Sequence, residues 1–212
     1  MGSRKTLSWG LNESETAFQC RALPACKGRS FVHDMKPPND LDRKSNAKIM
    51  LVGDSPGKRE SAVGRPFVEE KITSALKNAG LSRDDVYMTH VVKCRTTSVD
   101  KNGRVKKRAP RSSEIRQCLP LLEAEINAIS PVVIVAMGET AIKTLAGEEN
   151  VGKAIEKGML EYKDILVIPT YHPGATSHDK TAMEMFEMRK QRENAFERAS
   201  KVLIKKGRVL QL

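Results

Sequence analysis

The chain has 212 residues, 39% of them hydrophobic and 30% charged, with a formal net charge of +11. That length can bury the core of one domain, with or without extensions, and the composition is ordinary for a globular protein. No run approaches the ~18 apolar residues of a membrane span, and the opening MGSRKTLSWGLNESE lacks an apolar signal core, so a cytoplasmic protein with no membrane partner is expected. The basic excess favours a polyanionic partner, nucleic acid first, although a merely soluble basic protein would carry it too.

Residues 1–47 are polar and irregular, with a turn-rich Pro37-Pro38-Asn39-Asp40 before the first strand. That strand is predicted over Lys48–Gly53, where Ile49-Met50-Leu51-Val52 breaks into Gly53-Asp54-Ser55-Pro56-Gly57. A helix follows near Glu69–Ala79, closed by Gly80, and then a second apolar strand over Val86–Val92. Thr96–Arg111 shows no periodicity and reads as an exposed loop. Ile115, Leu119, Leu122 and Ile126 stand at helical spacing within Ser113–Ile129. Val132–Ala136 is a buried strand by composition, and Gly138-Glu139-Thr140 leads into a short helix ending at Gly147. A weaker strand pair falls within 158–169. The tail from Asp179 to about Lys206 forms one charged helix with Met185, Phe186, Phe196, Ala199, Val202 and Leu203 on its core face.

Strands alternating with helices predict an α/β fold, three α/β/α layers around a mainly parallel four-stranded sheet. Ligands of such sheets sit beyond the carboxyl ends of the strands. Asp54, His90 and His172 all fall there.

The first turn is not a phosphate loop. Gly53 to Gly57 is one residue short of G-x-x-x-x-G-K-[ST], Arg59 follows Lys58 where a hydroxyl residue belongs, and Pro56 removes a donor. G-x-G-x-x-G is absent as well. The turn instead carries two carboxylates, Asp54 and Glu60, between glycines that let backbone approach a flat ligand. Asp54 either braces this turn or works on such a ligand. Phe67, ending Gly64-Arg65-Pro66-Phe67, is either a packing plug or a platform for a base.

Three stretches, VGDSPGKRESAVGRPFV (52–68), VYMTHVVKCR (86–95) and PTYHPGATS (169–177), resemble in order and spacing the uracil-DNA glycosylase superfamily. The likeness is to its iron–sulfur family 4 type, including phage-polymerase-related members, and residues 114–147 are similar to that family's helix–strand–helix. The resemblance runs from Lys48 to Ser177. It implies a core over 48–178, an N-terminal extension over 1–47 and a C-terminal helix over 179–212 packed on the core. It also implies an enzyme that flips a nucleotide and hydrolyses the N-glycosidic bond of uracil or a related modified pyrimidine, leaving an abasic site. A monomer in the cytoplasm, nucleoid-associated or in a phage-infected cell, is expected.

By the same resemblance Asp54, Glu60 and His172 are the catalytic residues, and Gly53, Phe67 and His90 bind the base. Phe67 would stack on it, and His172 would donate to its developing negative charge. Asp54 and Glu60 would orient water and favour a cationic sugar. Asp54 stands where relatives usually carry Glu, and His90 where they carry an Asn whose amide reads the uracil edge. Imidazole cannot reproduce that planar donor–acceptor pair. After His172 the chain has small polar residues, Gly174-Ala175-Thr176-Ser177, in place of apolar and basic wedge residues, so single-stranded or distorted DNA is the expected partner.

The chain's four cysteines, Cys20, Cys26, Cys94 and Cys118, fall near the positions of the family's 4Fe-4S ligands. The first pair is spaced C-x5-C where C-x2-C is usual. A four-cysteine zinc site and ordinary buried thiols are the other readings. Eight basic residues against one acid lie between Lys93 and Arg111. Of these, Lys101, Arg104, Lys106, Lys107 and Arg108 are the expected phosphate contacts, unless the run is only a solvated face. A DNA-binding accessory protein with a weak or retired pocket is the rival function, and an unrelated RNA-binding α/β protein a remote one.

Overall fold

The computed structural model describes residues 47–174 and 181–209. In chain order the elements are β1 (Ile49–Gly53), α1 (Lys58–Val63), α2 (Glu70–Asn78), β2 (Val86–His90), β3 (Thr97–Val99), β4 (Val105–Lys107), α3 (Ser112–Ile129), β5 (Val133–Met137), α4 (Glu139–Ala146), α5 (Val151–Lys157), β6 (Leu160–Tyr162), β7 (Ile165–Thr170) and α6 (Ala182–Val209). The main sheet runs β2-β1-β5-β7-β6. Its first four strands are parallel, and β6 adds an antiparallel fifth at the edge. The α/β class therefore stands, with one strand more than the expected four.

Why three layers form is visible in the alternation of side chains along each strand. Met50 and Val52 of β1, with Tyr87, Ile134 and Ala136, meet Leu122 and Ile126 of α3 and Ile142 and Leu145 of α4 on one face. Ile49 and Leu51, with Val86, Met88, Val133 and Val135, meet Ile72 and Leu76 of α2 and Phe196 and Ala199 of α6 on the other. Strands covered on both faces can be apolar throughout, so β1, β2 and β5 are buried end to end.

Three local expectations change. The segment 96–111 is not a featureless loop, because β3 and β4 pair antiparallel as a hairpin, Val99 opposite Val105 and Thr97 opposite Lys107. Asp100 closes its tip by accepting from the backbone of Asn102 and Arg104. Met185 and Phe186 are exposed, and α6 buries Met188, Ala195, Phe196 and Ala199 instead. Lys93, counted with the surface basic run, is buried. Its ammonium donates to Thr89 Oγ1 at 2.6 Å, to the His90 carbonyl at 2.7 Å and to Glu125 Oε2 of α3 at 2.6 Å. Among the described residues no helix is long and apolar enough to cross a membrane.

Removing one member of a buried ion pair strands the other charge and typically costs about 3–5 kcal/mol. Glu125→Ala is therefore expected to lose about that much stability in urea unfolding, while the apolar double replacement Lys93→Met/Glu125→Leu should recover most of it.

Candidate active site

The carboxyl ends of β1, β2, β5 and β7 deliver Asp54, His90, Gly138 and His172 to one edge of the sheet. A cleft of about 450 Å³ opens there, and its walls include Asp54, Ser55, Glu60, Lys107, Pro110 and His172. Of the six residues expected to act on or hold the base, Asp54, Glu60 and His172 line this cleft.

Asp54 leaves β1 toward the first turn of α4, where Ala141 N–H donates to Oδ1 at 3.0 Å. Burial pushes its carboxyl up from the ordinary 3.8 to about 6, against the pull of that N–H and of the Lys107 ammonium. Gly138 makes the approach possible. A Cβ there would stand 2.7 Å from Asp54 Oδ2 and 3.0 Å from His172 Cβ, and the residue's φ of +98° suits glycine as well. Asp54 and His172 thus converge over one bare Cα.

His172 is neutral and has one defined tautomer. Its Nδ1 accepts from the Gly174 N–H at 3.0 Å, so the ring proton sits on Nε2. Nε2 is buried and has no hydrogen-bond partner among the described residues. Burial, reinforced by the charge of Lys107, lowers the ring to about 3. Lys71 of α2 holds the segment from outside, donating to the Pro173 carbonyl at 2.8 Å.

Glu60 turns its carboxylate inward onto backbone. Oε2 accepts from Gly57 N–H and Oε1 from Phe67 N–H, both at 2.5 Å. Burial by itself would raise this carboxyl, but the His90 ring beside it and those two N–H donors hold it well below the usual carboxylate range. Phe67 is fixed from both sides, since Arg83 also grips its carbonyl at 2.7 Å. These contacts hold it at a φ of +48°, a conformation that costs an L-residue about 1–2 kcal/mol.

Phe67 and His90 differ from the sequence picture of a loop aromatic and an open reading edge. They are 3% and 0% exposed and are not among the cleft walls. The two rings stack on each other, centroids 4.7 Å apart and planes at 21°, with His172 tilted 6.5 Å from Phe67. Gly53 permits the stack, because a Cβ there would stand 2.8 Å from Phe67 Cζ and 3.1 Å from His90 Cδ2. Burial lowers the His90 pKa, so the ring is neutral, and its Nε2 lies 3.3 Å from Glu60 Oε1. Nε2 thus faces the Glu60 carboxylate, and Nδ1 has no hydrogen-bond partner among the described residues.

The basic run divides. Lys101, Arg104 and Lys106 are exposed on the hairpin, Lys106 beside Asp100 at 3.1 Å. Lys107 crosses the cleft mouth to donate to the Ser55 carbonyl at 2.8 Å. Arg108 is spent on structure, its two guanidinium nitrogens on the two carboxylate oxygens of Glu114 at 2.7 Å each. Cys94, just past β2, and Cys118, on α3, are buried in one apolar cluster, while Cys20 and Cys26 lie outside the described residues. Among the described residues no group of three or more His, Cys, Asp or Glu is arranged to hold a metal ion. Gly138, Lys71 and Arg83 had no sequence signal as site residues; only Gly138, before a helix at a strand end, stood where one could be sought.

The sequence profile of the family described as the uracil DNA glycosylase superfamily matches residues 40–200. A type-4 uracil-DNA glycosylase of Saccharolobus solfataricus is 33% identical over 81% of this chain and 80% of its own length. One from Thermotoga maritima is 35% identical over 76% of this chain and 79% of its own, and one from Sulfurisphaera tokodaii 35% over 66% of each. The profile match spans the elements that build the cleft, and the chain belongs to the uracil DNA glycosylase superfamily, within its type-4 group.

Proposed function

We propose that this chain is a monofunctional DNA glycosylase that hydrolyses the N-glycosidic bond of uracil, or of a closely related pyrimidine, in DNA. The observation that carries the proposal is His172, a neutral imidazole whose buried Nε2–H has no partner on the wall of a cleft shared with Asp54. A departing base gains negative charge on its ring oxygens, and a donor with no other partner is strongest where that charge develops.

Asp54 has the complementary task. Held by Ala141 N–H on one oxygen, its other oxygen can orient water toward the sugar carbon, and its negative charge favours the cationic sugar. With a pKa of about 6 it is mostly ionised at neutral pH. Glu60 acts through position, by fixing the Gly57 turn and the Phe67 platform. His90 backs Phe67, and Gly53 leaves room for both. With His90 Nε2 turned to ionised Glu60, the proton belongs on Nε2 and Nδ1 is an acceptor.

Lys101, Arg104 and Lys106 would meet backbone phosphates, whereas Lys107 and Arg108, occupied at Ser55 and Glu114, would shape the cleft mouth. Single-stranded or mismatched DNA is the substrate favoured by the small polar residues after His172. A 4Fe-4S cluster would be held by Cys94 and Cys118 with Cys20 and Cys26. Two thiols buried in one apolar cluster suit a soft, solvent-shielded group. Bound there it would supply a structural cross-link between the N-terminal residues and the core, with no part in bond cleavage. One observation favours a DNA-binding module without activity: His90 already covers a face of Phe67 on which a base could stack.

Release of free uracil from an oligonucleotide, followed by mass spectrometry, decides between these. His172→Ala should lower the single-turnover rate by about 10²–10³-fold with DNA affinity little changed; no release by the unaltered protein would leave the binding module. The rate should rise with pH through about 6 as Asp54 ionises, and Asp54→Asn should flatten that profile at a low level.

The same substitution should stabilise the fold. A carboxyl raised from 3.8 to about 6 favours the folded state only when protonated. That advantage, about 3 kcal/mol when complete below pH 4, is lost as pH rises through 6, and almost none of it remains at neutral pH. Asp54→Asn keeps the acceptor for Ala141 and avoids the buried charge, so its Tm at pH 7 should exceed that of the parent. Cys94→Ala should abolish iron content and absorbance near 400 nm on the order of the whole signal, since a cluster needs all four thiolates.

A further inference from the structure

Two of the larger exposed apolar side chains belong to the β3–β4 hairpin, Val99 at 68% exposure and Val105 at 58%. They are not scattered, because the two face each other across the antiparallel ladder. Two residues further along the same ladder stands the Thr97–Lys107 pair. Side chains alternate faces along a strand, so Val99 and Val105 share the face of Lys107, about 7 Å further toward the tip. The Lys107 ammonium reaches the Ser55 carbonyl at the cleft. The valine pair therefore overhangs the cleft mouth.

The base of the hairpin is tied down. Ser55 Oγ and Thr96 Oγ1 are 3.1 Å apart, the Thr96 hydroxyl and carbonyl both engage Arg108, and Arg108 is clamped on Glu114. Its tip is closed by Asp100 and carries exposed Lys101 and Arg104, with Lys106 on the opposite face. A rigid ribbon with an apolar pair on the cleft side and cations around it matches one partner: a polyanion whose interior is apolar. That is the base stack of DNA.

We propose that the β3–β4 hairpin is a wedge. Val99 and Val105 enter the stack beside the extruded nucleotide and occupy the space it leaves, while Lys101, Arg104 and Lys106 hold the flanking phosphates. The proposal rests on the glycosylase reading and adds to it the means by which a mismatched duplex is held open. It gives the chain, on a different element, the apolar bulk that the Gly174-Ala175-Thr176-Ser177 segment lacks. Inserted apolar side chains of this kind separate base steps and keep an opened duplex from closing.

The full chain and its Val99→Ala/Val105→Ala variant should be compared for uracil release from a U·G duplex and from the same strand alone. Both side chains are exposed, so the fold should be indifferent, and unchanged circular dichroism and melting verify it. A Val99→Thr/Val105→Thr variant keeps strand preference and shape. The alanine pair is expected to lose roughly tenfold or more on duplex and less than about twofold on single strands. Equal losses on both substrates, or none on duplex, overturn the wedge. A second readout is 2-aminopurine placed next to the mismatch, which should brighten on binding of the unaltered protein and not of the alanine pair. If the unaltered protein releases no base from either substrate, the glycosylase reading fails, and the 2-aminopurine signal alone decides the wedge: brightening lost in the variant supports it, and no brightening refutes it.

Discussion

The buried contact between Lys93 and Glu125 is the interaction on which the site's geometry turns. Taking two charges out of water is expensive, and the expense is tolerable only because the Lys93 ammonium finds three acceptors at once. Two of these belong to the last two residues of β2, and the third comes from the C-terminal part of α3. The pair therefore welds the end of β2 to the helix across from it. His90 lies just before this weld and Cys94 just after it, so the aromatic stack and a buried thiol take their positions from the same ammonium. An apolar residue at 93 could fill the volume. It could not hold the His90 carbonyl in place.

Around that fixed point the two carboxylates of the first turn do different work because their surroundings differ. Glu60 is surrounded by donors and is ionised; it holds backbone. Asp54 is deeply buried, and burial outweighs the pull of the Ala141 and Thr140 N–H groups, so its proton affinity rises into the range where it can change charge near neutrality. The sequence pair reads as two equivalent acids. Hydrogen-bond supply separates them into a brace and a reactive group.

How much of this could be read beforehand follows from what each signal measures. β1, β2 and β5 were legible because strands buried on both faces are uniformly apolar, and α3 because its apolar residues recur at helical spacing. The hairpin was illegible: its three-residue strands are mostly polar and never bury a face. α1 and α5 are six and seven residues long and too short to show a period. For the site, His172 and Asp54 were found by their place after strands, and the motif resemblance assigned the chemistry. Charge counting failed where direction mattered, since Lys93 and Arg108 turn inward while Lys101 and Arg104 turn out, and composition carries no direction. Phe67 and His90 were legible as neighbours of the site but not as each other's partners, because a stack between residues 23 positions apart depends on the sheet register.

Lys107 gives the hairpin a second consequence, one of thermodynamic linkage. Its ammonium is among the influences that keep the Asp54 carboxyl from holding its proton still more tightly. Any displacement that lifts β4 away from Ser55 takes that cation with it, and Asp54 then retains its proton to higher pH. Coupling between two equilibria is reciprocal, so ionising Asp54 must in turn draw the hairpin down onto the cleft. Seating of the ribbon and readiness of the reactive carboxylate are then one equilibrium observed at two places, and mild acid should loosen the hairpin as well as quench the chemistry.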